Sequence, residues 1–74
     1  MTGFRWSTER YDQLESAVRH GRRVAIMRRG TEHVVTAMAI RSQASRDCLI
    51  GKVPMTGEEL SFYLDELEEF QVID

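Results

Sequence analysis

Clustered arginine is the first chemical signal in this chain. Arg19, Arg22, Arg23, Arg28 and Arg29 fall within eleven residues, and Arg41, Arg46 and Lys52 follow further on. Guanidinium groups gathered in this way can neutralise phosphates, so Arg22, Arg23, Arg28 and Arg29 are candidate contacts for a nucleic acid. The plainer reading is that they flank short strands as solvated charges that discourage edge pairing. Aromatic side chains for stacking bases are not interleaved with them, which favours the plainer reading. The opposite charge is also patterned. Asp12 and Glu15 stand three apart near the start of a helical stretch, where the positive helix end tolerates acids. Carboxylates at 58, 59, 65, 66, 68 and 69 crowd the last part of the chain. They lack the spacing of a calcium loop, and a solvated acidic face is the expectation.

Catalytic signals are missing. The glycines at 3, 21, 30, 51 and 57 are scattered and form no phosphate-cradling loop. His20 and His33 are the only histidines, and Cys48 is the only cysteine. No internal disulfide can form, and no Cys-x-x-Cys or His-x-x-x-His pair seeds a zinc site. Nothing places a serine or Cys48 beside a histidine for nucleophilic catalysis. The expectation is therefore a binding protein with no catalytic residue, cofactor or metal. Cys48 reads as a small buried hydrophobe in a strand, His20 as a residue at a helix C-terminus, and His33 as a strand-surface residue.

These side chains must be positioned by a small fold. The chain has 74 residues, enough for one domain spanning 1–74 with one modest core. A domain of this size buries only about 60% of the surface its unfolded chain exposes. Met1–Glu9 is too short and polar for an export signal, and no apolar run approaches the ~20 residues that span a bilayer. A cytoplasmic location is the expectation, and a lone thiol suits that reducing compartment. Net charge is −2, but residues 1–56 hold all ten Lys and Arg, while residues 57–74 hold seven acids and no base. A basic pole and an acidic pole would result if the fold kept these segments apart.

The elements can be placed by period. Residues 1–6 read as a loosely held lead-in in which Phe4 and Trp6 could staple the following element. A helix is expected over 7–20, opened by Ser7 or Thr8 as cap. Tyr11, Leu14, Ala17 and Val18 form its apolar stripe, and Gly21 ends it in the left-handed region. The period then shortens. Arg23–Arg28 and 33–40 read as strands around an Arg29-Gly30 turn, 41–47 as a loop, 48–53 as a third strand and 54–57 as a turn. Residues 57–70 are ambiguous. Leu60, Tyr63, Leu64, Leu67 and Phe70 fit a helical stripe, and Thr56-x-x-Glu59 is a capping box. Leu60, Phe62 and Leu64 equally fit an alternating strand, followed by a turn and a last strand over 69–73.

An ordered set of motifs resembles one family. Tyr11-Asp12-x-Leu14-Glu15-x-Ala17-x-x-His20, then a short strand and Arg29-Gly30, is similar to the opening of the Rof family of small antiterminators that bind the transcription terminator Rho. Gly57-Glu58-Glu59-Leu60 and Leu64-Asp65-x-Leu67-x-x-Phe70 look like that family's closing segment. The match covers roughly 9–72. Where the family has a pair of acids before the tyrosine, this chain has Glu9 and Arg10. The resemblance implies a mainly β fold: one N-terminal helix on a small Sm-like (SH3-like) five-stranded barrel over 22–73. It thus favours the strand reading of 58–64 and 69–73. It also implies a partner, Rho, whose RNA-gripping surface would be covered by helix carboxylates at Asp12 and Glu15, together with Glu9. Two other functions stay open at the level of sequence. One is an Sm-like RNA-binding module using the arginines at 22, 23, 28 and 29. Against it, the chain has no Asn for the usual Asp and Asn pair, and it carries Gly51-Lys52 in reversed order. The other is a protein-interaction module with a different partner.

Overall fold

The structure is a computed structural model and describes residues 7–73. The staple proposed for Phe4 and Trp6 lies outside these residues. The fold is mainly β: one helix, α1 (Thr8–Arg19), precedes a five-stranded antiparallel sheet. The strands are β1 (Arg23–Arg28), β2 (Thr31–Gln43), β3 (Arg46–Lys52), β4 (Glu59–Tyr63) and β5 (Glu69–Val72), with a 3-10 turn over Leu64–Glu66.

Helix α1 begins and ends as its residues dictate. Ser7 is extended and its Oγ accepts the Arg10 N–H at 3.2 Å, so serine rather than Thr8 is the cap. Gly21 adopts φ 61°. The Arg22 N–H then reaches back to the Ala17 carbonyl at 2.9 Å, closing the helix end. His20 Nδ1 lies 2.9 Å from the Ser16 carbonyl, which also accepts the His20 backbone N–H at 3.0 Å, so ring and backbone share one acceptor in the last turn.

The sheet order is β4-β3-β2-β1-β5. Four strands form a meander, and β5 returns across the molecule to pair with β1, Ile26 opposite Phe70. β4 and β5 occupy the two edges, and the sheet is not closed. β2 is long because it serves two partners, β1 along its first half and β3 along its second. The register slips between Ala37 and Ala39, and the extra residue, Met38, bends the strand at the changeover. The inner face collects Val24, Ile26, Val35, Ala37, Leu49 and Phe62, with Leu14 and Ala17 of α1 laid over them and Leu64, Leu67 and Phe70 completing the core.

Several expectations are corrected. The expected loop over 41–47 is instead a tight hairpin, since the ladder runs to Gln43 opposite Arg46 and only Ala44 and Ser45 turn. Both hold positive φ, 52° and 67°, so an alanine and a serine carry a turn with no glycine to announce it. In the C-terminal segment the strand alternative is the observed one. The Thr56 hydroxyl caps no helix; it accepts the Glu58 N–H at 3.2 Å within the β3–β4 turn. His33 lies on a strand, as expected, but only part of it reaches the surface. It is half-buried, its ring 5.3 Å from that of Phe62. Nor do separate charge poles form. The acidic segment is laid against the basic one, β5 beside β1 and β4 beside β3, with Glu59 opposite Lys52. Cys48 is buried in β3, as its reading as a small hydrophobe expected.

Candidate partner-binding surface

The helix that buries Leu14 and Ala17 turns its opposite side to solvent. Glu9, Asp12 and Glu15 are all exposed, and they follow one another at intervals of three along that side. Among the described residues none of the three forms an ion pair. Arg10 does not neutralise them by position. Residues two apart on a helix do not face each other, and the Arg10 guanidinium lies 5.8 Å from the Phe70 ring, toward β5.

Tyr11 borders this stripe and joins it to the sheet. It is half-buried against the core, and Tyr11 and Asp47, near the start of β3, line one surface depression. Burial first, then the charges of Asp47 and Glu15, then hydrogen bonding to Asp47 push the phenol above its ordinary value. Tyr11 is therefore influenced by two carboxylates, one from α1 and one from β3. Sequence reasoning missed Asp47, because only the hairpin at Ala44-Ser45 brings residue 47 to the helix. The carboxylate surface thus extends beyond the helix: Glu9, Asp12 and Glu15 in a row, with Asp47 beside the last.

Other acids are already engaged. Arg46 bonds Asp65 through two nitrogens, Nε to Oδ2 at 2.9 Å and Nη2 to Oδ1, and reaches Glu66 at 3.4 Å. Its guanidinium also stacks 3.7 Å from the centre of the Tyr63 ring. The hydrogen bonds from Arg46 hold the Asp65 carboxyl below its ordinary range. This cluster ties the β2–β3 hairpin to the 3-10 turn, and its carboxylates are not offered outward as a free pair. Glu68 accepts the Gly30 N–H at 3.1 Å and fastens the β1–β2 turn.

The arginines do not assemble into one patch. Arg22 and Arg23 precede and open β1, whereas Arg28 and Arg29 end and follow it, about 17–23 Å away at strand rise. Arg23 lies opposite Thr36 in the ladder. Arg28 packs its guanidinium 4.8 Å from the Phe62 ring, and Arg29 is held in the turn at φ 54°. The clustering at 22–29 is one of sequence, and alternation along a strand scatters it in space. Among the described residues no group of three His, Cys, Asp or Glu side chains could hold a metal ion. Among the described residues no helix is long and apolar enough to cross a membrane. No protein-family model and no curated protein matches this chain.

Proposed function

We propose that the protein is a non-enzymatic binding module that lays an acidic surface over the basic nucleic-acid-binding site of a protein partner. The observation that carries this reading is the exposed row of Glu9, Asp12 and Glu15, unpaired with any described cation, with Asp47 adjoining it. Carboxylates set where phosphates would otherwise lie compete for the same guanidinium and ammonium groups, and complementary charge steers encounter and fixes register. The motif resemblance points to the termination factor Rho as that partner, and to inhibition of Rho-dependent termination as the outcome. The same resemblance supplies the finer reading of the fold as a small Sm-like barrel. The return of β5 to β1 around a single shared core supports it.

The test mixes the purified protein with Rho and follows RNA-stimulated ATP hydrolysis. Inhibition is expected, and the double variant Asp12→Asn with Glu15→Gln should raise the concentration needed about tenfold or more. Uninhibited hydrolysis at tens of micromolar protein would remove Rho as the partner. A direct RNA-binding role gains nothing from the arrangement of Arg22, Arg23, Arg28 and Arg29, which face different surroundings.

A further inference from the structure

The face of the sheet turned away from the core carries opposite charges at the two ends of β1. Val24 and Ile26 are wholly buried, so alternation turns Arg23, Ala25 and Met27 outward. Residues paired across a ladder share a face, and the outer face can be read in three rows. Met27 lies between Glu32 of β2 and Glu69 of β5. Ala25 lies between Val34 and Gln71. Arg23 lies beside Thr36, with Lys52 of β3 beyond it and Glu59 of β4 beyond that. One end of β1 thus stands between two carboxylates, and its other end presents a guanidinium.

The acidic end is concave. Ala25, Met27, Glu32, Glu69 and Gln71 line a depression of about 170 Å³ there. Arg23, Glu32 and Glu69 are exposed, and none of the three forms an ion pair among the described residues. Arg23 is held away from the two carboxylates of its own chain, because four residues of extended strand separate it from Met27, about 13 Å. Between the two ends Val34 leaves 42% of its surface in solvent.

We infer that this face pairs two copies of the chain, Arg23 of each copy seated between Glu32 and Glu69 of the other. A two-fold axis lying between the sheets and running across β1 sets the facing strands in opposite directions. It lays the Arg23 row of each copy over the Met27 row of the other, and Ala25 and Val34 over their own counterparts at the centre. An axis along β1 would set four carboxylates against one another, so charge selects the first arrangement. Facing sheets pack about 10 Å apart, and the small residues at the centre let Arg23 bridge that gap. Its planar fork of donors suits a pair of carboxylates. Three strands present less than the roughly 800 Å² a side of a standard interface, so the dimer is weak and sensitive to salt. Glu9, Asp12 and Glu15 lie on α1, outside this face, and the pairing does not rest on the partner proposed for them.

The experiment follows molecular mass by sedimentation equilibrium from about 10 µM to about 1 mM protein, and the parent should be half dimeric at about 300 µM or below in dilute salt. Raising salt from about 0.05 M to about 0.5 M should weaken the dimer several-fold. Arg23→Glu should weaken it about tenfold or more, as should Glu32→Lys with Glu69→Lys, since each sets like charges together. Arg23→Gln, the milder change, should weaken it less than Arg23→Glu. An equimolar mixture of Arg23→Glu with the Glu32→Lys, Glu69→Lys variant should recover the parent's affinity. In that mixture the introduced glutamate meets the introduced lysines on one side, and the native contact survives on the other. Thermal melting of each variant establishes that it is folded. The inference is overturned by a parent that stays monomeric at 1 mM in dilute salt. It is overturned equally by a dimer that both Arg23 variants leave intact, which would place the contact at the sheet edges, or by a mixture that stays monomeric.

Discussion

At the scale of single residues, the tightest constraint falls on a glycine whose backbone is ordinary. Gly51 stands in β3 between Ala37 and Leu60, on the inner face beneath Val35. A Cβ built there would lie 2.5 Å from Val35 Cγ2 and 2.8 Å from its Cβ. Both groups sit on strands held from either side, so neither can give way cheaply. Gly51→Ala should therefore destabilise the fold by about 1–3 kcal/mol, measured by urea unfolding, as overpacked cores do. Pairing it with Val35→Ala should recover part of that loss. A neutral single variant would show that the strands part more readily than this packing allows. Tyr11 carries the second constraint. Its phenol is raised by burial and by the carboxylates at 47 and 15, so the folded state holds its proton more firmly than the unfolded chain does. The contribution is complete below the ordinary value of 10.0 and is lost as pH rises through the higher folded-state value. Unfolding free energy should fall above pH 10.0 more steeply in the parent than in Tyr11→Phe. Equal slopes in the two proteins would rule out that burial and that pairing. The two residues were unequally legible. The place of Tyr11 on an apolar stripe is written in its spacing with Leu14, Ala17 and Val18. The demand on Gly51 appears only when β2 and β3 are set side by side.

At the scale of elements, the two tight hairpins differ in how well their sequences suit their shapes. Both turn through two consecutive residues with positive φ. The first uses Arg29-Gly30, and the glycine advertises it. The second uses Ala44-Ser45 at φ 52° and 67°, where neither residue relieves the steric cost of the left-handed region. This is why a polar run of Ser, Gln and Ala read as an open loop. The turn exists because flanking interactions impose it: Arg46, the first residue of β3, is clamped by Asp65 and Glu66 and stacked on Tyr63. Ala44→Asn with Ser45→Gly should therefore raise stability by about 1 kcal/mol or more, read as an upward shift in melting temperature. No gain, or a loss, would mean that the side chains at 44 and 45 contribute contacts that outweigh backbone relief. The same reasoning explains the C-terminal segment. Its helical stripe and its capping box were real local signals. They lost because Leu60, Phe62 and Leu64 on alternating positions place Phe62 wholly inside a core that the other strands had already shaped. A helix there would have left the outer edge of β3 without its partner.

At the scale of the whole molecule, the charge distribution separates acids that hold the fold from acids that do not. Asp65, Glu66 and Glu68 are engaged by Arg46 and by the Gly30 amide. Glu9 sits in the first turn of α1, where the helix dipole favours it. Glu15 has neither support. It lies beyond the first turn, three residues from Asp12 and beside a Tyr11–Asp47 pair whose charge it opposes. The like charge of Asp12 three residues before it and the opposite charge of Arg19 four residues after it act in opposite senses, each by about 0.2–0.5 kcal/mol. An exposed acid that no described ion pair ties to the fold is the place to look for a role in binding. Glu15→Gln should accordingly leave the melting temperature unchanged or slightly raised while slowing association with a basic partner. The slowing should be large in dilute salt and should shrink as ionic strength rises past about 0.15 M, where the Debye length falls to about 8 Å. Stopped-flow association rates at several salt concentrations, set beside calorimetric melting of the same variant, measure both halves. If Glu15→Gln lowered stability and left the association rate alone at every salt concentration, Glu15 would belong to the fold. The acidic row would then lose the member that links α1 to Asp47.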